Sequence, residues 1–70
     1  MGVYHDKLLD DIHDYLVEFG PCTASSVADG LKDQYKDRLL TYRQIAQYSR
    51  QLVGQGRARH MDSGLWEAVV

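Results

Sequence analysis

Intrachain disulfides are excluded at once, because the 70 residues hold a single cysteine, Cys22. A lone thiol suits a reducing compartment or a small buried apolar position. No apolar run approaches the roughly 20 residues of a membrane span, and the first residues lack the hydrophobic stretch of a signal peptide. The expectation is a cytoplasmic protein with no membrane association. Low-complexity tracts, long linkers and internal repeats are missing too, so one domain over 1–70 is expected. At this length folding buries only about 60% of the unfolded-chain surface, which argues against an extensive catalytic cleft.

Metal and catalytic chemistry find little to work with. His5, His13 and His60 stand near Asp6, Asp14 and Asp62, but no cluster has zinc-ligand spacing. No histidine is recognisably paired with a nucleophile, and Ser25 and Ser26 read as first-turn helix residues. The expectation is therefore no enzyme, no metal site and no cofactor.

What the chain does have is divided charge. Residues 1–37 carry seven Asp and Glu18 against Lys7, Lys32 and Lys36, a balance of −5. Residues 38–70 carry Asp62 and Glu67 against Arg38, Arg43, Arg50, Arg57 and Arg59, a balance of +3. Every arginine lies in the second part, which points to a polyanionic partner for that face. The overall pI of about 5.8 points the other way, since dedicated nucleic-acid domains often exceed roughly 9. A ligand meets a face and not an average, so the partition weighs more.

The basic part contains a helix-length segment from Thr41 to Val53 with no acid in it. At the 100° per residue of an α-helix, Ile45, Ser49, Leu52 and Val53 fall on one side, with Tyr48 and Ala46 at its edges. Arg43, Gln44, Gln47, Arg50 and Gln51 fall on the other. Arg and Gln have the fork geometry that hydrogen-bonds base edges and phosphates. Thr41 with Gln44 forms a capping box, and Leu40 with Ile45 a hydrophobic staple. Gly54 and Gly56 supply residues able to take positive φ where this helix stops. A bland reading stays open, in which the face is simply solvated.

Two further helices precede it. The first is expected over about 3–19, with Tyr4, Leu8, Ile12, Tyr15, Leu16 and Phe19 as its apolar stripe and Leu9 at the edge. Asp6, Asp10, Asp14 and Glu18 line its back, a spacing at which like charges repel by about 0.2–0.5 kcal/mol per pair. That ridge is a solvated rear face or a partner-binding one. Gly20-Pro21 ends the helix. Thr23 then caps a second helix over about 24–35, in which Ala24, Val27, Ala28, Leu31 and Tyr35 form a buried stripe. Gly30 inside it costs about 1 kcal/mol relative to Ala.

After Gly56 the period becomes short and extended. Arg57 to Met61, the turn Asp62-Ser63-Gly64, and Leu65 to Val69 read as a β-hairpin over about 57–69. Ala58 and His60 are expected on one face, with Arg57, Arg59 and Met61 on the other. Trp66 and Ala68 are the expected inward pair, because the indole is the largest apolar surface available to close the core. Arg57 and Arg59 either meet phosphate or only protect an edge strand. Tyr42 and Tyr48 either pack on sugar-phosphate or close the core.

Three helices and a hairpin, with the third helix rich in Arg and Gln, resemble the winged helix-turn-helix family. The resemblance covers nearly the whole chain at superfamily level. It rests on Leu40-Thr41-x-x-Gln44-Ile45, on Leu52-Val53-Gly54-Gln55-Gly56-Arg57-Ala58, and on Gly64-Leu65-Trp66-Glu67-Ala68-Val69. It implies an α+β winged helix-turn-helix fold, three helices followed by a two-stranded β-hairpin wing. It also implies binding to double-stranded DNA as a small transcription regulator, nucleoid-associated, with the third helix in the major groove and the wing on the backbone or minor groove. The residues this assigns to DNA are Thr41, Tyr42, Arg43, Gln44, Gln47, Arg50, Arg57 and Arg59. So few phosphate contacts make a homodimer or a larger protein partner the expectation. Two alternatives remain: a winged-helix adaptor between proteins, which the acidic pI and the Asp62-Ser63-Gly64 tip suit, and a viral or mobile-element DNA-binding accessory protein. An apolar exposed third helix would mark an adaptor, and this one is polar.

Overall fold

A computed structural model describes residues 2–35, 40–61 and 63–70, with side chains from Asp6 onward. The expected roles of Tyr4 and His5, the link at 36–39 with Arg38, and Asp62 at the hairpin turn lie outside the described residues. The chain is α+β: α1 (Gly2–Phe19), α2 (Ala24–Leu31), α3 (Tyr42–Gly54), β1 (Ala58–His60) and β2 (Trp66–Ala68). Among the described residues no helix is long and apolar enough to cross a membrane.

Helix α1 is the central support, packing on α2, α3 and β2. Leu8, Leu9, Ile12 and Leu16 are buried along it. Leu9 is therefore a core residue and not an edge residue. Phe19 departs from expectation in the other direction, at 59% exposure. Its angular position matches the stripe, but it ends the helix, where neighbouring elements no longer cover it fully. The Tyr15 and Phe19 rings lie with centroids 4.5 Å apart and planes tilted by 40°.

Helix α2 starts as its sequence dictates, with the Thr23 hydroxyl accepting the Ser26 N–H at 3.2 Å. It stops at Leu31, four residues short of the expected end. Past that point Gln34 N–H donates to the Leu31 carbonyl and Tyr35 N–H to the Lys32 carbonyl, so the chain tightens into three-residue turns. Asp29, Gly30 and Asp33 are weak helix formers at this end. Tyr35 is buried all the same, so the stripe survives where the helix does not.

Helix α3 has the expected capping box. Thr41 Oγ1 accepts from Gln44 N–H at 3.3 Å, and Gln44 Oε1 accepts from Thr41 N–H at 3.4 Å. Ile45, Tyr48, Ser49 and Leu52 are buried. Val53, expected on the apolar side, is 39% exposed, as it lies at the margin of the arc. At the far end Gly56 N–H donates to Val53 and Arg57 N–H to Leu52, the double bond of a Schellman cap. Only Gly56 takes the positive φ, at 76°, while Gly54 stays helical. Gly56 is thus what turns the chain from α3 into the hairpin.

The hairpin pairs Ala58 with Ala68, Arg59 with Glu67 and His60 with Trp66 in antiparallel register. Trp66 is buried at 3% exposure, Ala58 is buried, and Ala68 is half-buried. The inward pair is the expected one. His60 is exposed and stacks on Trp66, with ring centroids 3.9 Å apart and planes 10° apart. Trp66 makes a further pairing that periodicity did not reveal. Cys22 and Trp66 exchange both backbone hydrogen bonds, at 3.0 and 2.8 Å. This bridge ties the α1–α2 connection to the hairpin.

Candidate nucleic-acid interface

The polar face of α3 forms as the wheel requires, because Ile45, Tyr48, Ser49 and Leu52 hold the opposite side in the core. Arg43, Gln44, Gln47, Arg50 and Gln51 are all exposed. Among the described residues no ion pair engages Arg43 or Arg50. Their guanidinium groups, always charged near neutrality, are therefore presented to solvent with five donors each. Tyr42 precedes them at the start of the helix and is 55% exposed, whereas Tyr48 is a core residue. Of the two, Tyr48 closes the core and Tyr42 is left on the surface.

Gln44 and Gln47 differ in what they can offer. Bidentate recognition of adenine needs the amide oxygen and the amide nitrogen together. Gln44 commits its oxygen to the Thr41 N–H, so it and Thr41 chiefly set the start of the helix. Gln47 has no hydrogen bond from its side chain among the described residues and lies at the middle of the polar arc.

The hairpin arginines are already partnered. Arg57 Nη2 lies 3.0 Å from Asp10 Oδ1 on α1, and Arg59 Nη2 lies 2.8 Å from Glu67 Oε1 directly across the hairpin. Both pairs are solvent-accessible, a class worth about 0–1 kcal/mol, so a phosphate can compete for either arginine. The pairs nevertheless remove two positive charges from the field of this edge. Sequence reading could not foresee the Arg57–Asp10 contact, which joins residues 47 positions apart. It also shows that one residue of the acidic α1 ridge serves the fold.

A second polar cluster lies between α1 and the turn after α2. Lys7 Nζ donates to Asp11 Oδ2 at 2.8 Å, and the Tyr35 hydroxyl donates to the same carboxylate. Lys7 Nζ also lies 5.0 Å from the Tyr35 ring centroid. Partial burial pushes Asp11 up, but hydrogen bonds from Lys7 and Tyr35 outweigh it and hold the carboxyl below its ordinary value. Burial, and then the bond to Asp11, push the Tyr35 hydroxyl up to about 12. Lys7 is raised by its hydrogen bond to Asp11 and then by that to Tyr35. This cluster pins the turn after α2 to α1.

His13 and Asp14 approach within 4.0 Å, and His13 Nε2 lies 3.2 Å from the Val69 carbonyl oxygen, which ties α1 to the chain after β2. Among the described residues no group of three or more His, Cys, Asp or Glu could hold a metal ion. The chain matches no family model, and comparison with curated proteins and with solved structures gives no match.

Proposed function

We propose that this chain is a winged-helix domain that binds duplex DNA, acting as a small sequence-specific transcription regulator. The observation that carries the proposal is the α3 face, where Arg43, Gln47 and Arg50 are exposed together with no acid among them. In this reading Arg43 and Arg50 neutralise phosphates, which supplies salt-sensitive affinity and sets orientation. Gln47 and one of the arginines read base edges in the major groove, Gln favouring adenine and Arg favouring guanine. The hairpin lies along the backbone, with Arg59 exchanging Glu67 for phosphate.

An adaptor role is the second reading, favoured by one specific observation: both hairpin arginines are held by acids of the same chain. A titration of labelled random-sequence duplex DNA at low ionic strength separates the two. Saturable binding that weakens with salt supports DNA recognition, whereas folded protein that leaves the duplex free supports the adaptor.

A further inference from the structure

The side of α1 turned toward α2 carries a groove that the DNA reading does not use. It encloses about 340 Å³, at the low end of the roughly 300–1,000 Å³ of small-molecule sites. Its dimensions suit one or two protruding side chains. Its walls are mixed: the Tyr15 and Phe19 rings and Leu31 share them with the carboxylates of Asp11, Asp14 and Glu18 and with Gln34. Phe19 is 59% exposed there and lies against the Tyr15 ring, so the groove presents a pair of aromatic rings to a partner.

The groove's complement is found on the chain itself. At the start of α3 an exposed aromatic ring, Tyr42, stands next to Arg43, with Arg50 further along the same helix. Tyr and Arg are the residue types most enriched at interface centres. Charge agrees as well, since Asp14 and Glu18 line the groove and Arg43 and Arg50 have no ion-pair partner among the described residues.

The geometry points to self-association of this protein head to tail, with Tyr42 of one copy entering the Tyr15–Phe19–Leu31 groove of the next while Arg43 and Arg50 meet Glu18 and Asp14. The two surfaces differ and lie on different helices, so the contact is heterologous and extends into open chains unless its rotation closes a ring. Docked copies have α3 covered, so the same contact withholds that helix from DNA. The association is defined without DNA, and its failure leaves the DNA reading untouched.

The test is sedimentation velocity on the intact protein over a concentration series at low salt. Wild type is expected to grow in mass with concentration and to revert to monomer as salt is raised. A groove variant, Asp14→Lys with Glu18→Lys, and a face variant, Arg43→Glu with Arg50→Glu, should each remain monomeric. Mixed in equal amounts they should associate again, because each retains the half that the other lacks and the reversed surfaces, Lys on one and Glu on the other, are themselves complementary. Phe19→Ser, at an exposed position, should weaken wild-type association by about tenfold with an unchanged melting temperature, which keeps the test decisive if a charge-reversal pair unfolds. Wild type that stays monomeric, either charge-reversal variant associating like wild type, or a mixture that does not associate overturns self-docking. So does a monomer that instead binds a synthetic lysine-rich amphipathic peptide and loses it on Glu18→Lys, which assigns the groove to a foreign basic protein.

Discussion

The ring of Tyr15 lies against the α-carbon of Gly30. A Cβ built on Gly30 would stand 2.3 Å from Tyr15 Cε2 and 2.5 Å from its hydroxyl oxygen. Helix propensity alone would favour alanine there by about 1 kcal/mol, and this contact explains why glycine is tolerated in a helix of only eight residues.

The first prediction is a thermodynamic cycle. With Tyr15 present, Gly30→Ala should bring no gain in stability, because the ring must leave its seat. In the Tyr15→Ala background the same change should stabilise by about 1 kcal/mol. Chemical denaturation of the four proteins gives the coupling. Equal effects of Gly30→Ala in both backgrounds would show that the ring does not depend on the glycine.

The second concerns alkaline pH. Tyr35 titrates at about 12 in the folded protein, above its ordinary value of 10.0. A raised folded pKa contributes stability that is fully present below the unfolded pKa and is lost as pH rises through the folded one. Melting temperature should therefore fall between about pH 10 and 12, and Tyr35→Phe should remove part of that fall. Asp11 has the opposite sign: its lowered pKa contributes stability above the ordinary carboxylate range, lost as pH drops through that range. Parallel melting curves for wild type and Tyr35→Phe across the alkaline window would contradict the assignment.

A third expectation is that Trp66→Ala costs about 3–5 kcal/mol, as buried aromatic truncations do. Domains of this size often have only about 5 kcal/mol in total, so the variant should be largely unfolded. The loss comes from the indole, which closes the core and stacks on His60, while the backbone pairing with Cys22 is equally open to alanine. A nearly unchanged cooperative melt, followed by circular dichroism, would contradict the burial.

The long amphipathic helices, the α3 capping box and the inward pair Trp66 and Ala68 were all legible from the sequence, because each writes a period or a local pair into it. The Cys22–Trp66 bridge was not, since a single paired residue has no alternation to read. Phe19 was placed on the correct side of α1 yet lies exposed, because a helical wheel gives angle but not position along the axis. Tyr35 shows the converse: its stripe position held while the helix ended four residues earlier. At the candidate interface the exposed Arg/Gln face followed from the wheel, whereas the Arg57–Asp10 pair depends on tertiary docking. The Arg59–Glu67 pair follows from a register that the turn residues only suggested.

Reading and anchoring should separate on the proposed interface. Gln47→Ala should reduce discrimination between a selected DNA site and a single mismatch by about 1–3 kcal/mol, with little effect on random duplex. Glu67→Gln removes the negative charge that Arg59 meets across the strands and leaves only a neutral acceptor there. It should strengthen binding to all sequences alike and steepen the salt slope by up to about 1. Competition binding with matched and mismatched duplexes measures both. Loss of sequence preference in Glu67→Gln with none in Gln47→Ala would make the hairpin the reading element.

The most direct test of DNA recognition through α3 is the dependence of duplex affinity on salt, measured by fluorescence anisotropy for wild type and for Arg43→Ala with Arg50→Ala. Arg43 and Arg50, without an ion pair among the described residues, at about −0.9 per phosphate contact give an expected log–log slope of about −2 in the wild type. It becomes about −3 or steeper where phosphate displaces Glu67 or Asp10 from the hairpin arginines. The double variant should lose about 2 from that slope and most of its low-salt affinity while keeping its melting temperature. Absence of binding by folded, monomeric wild type at low ionic strength, or an unchanged slope in the double variant, would contradict it.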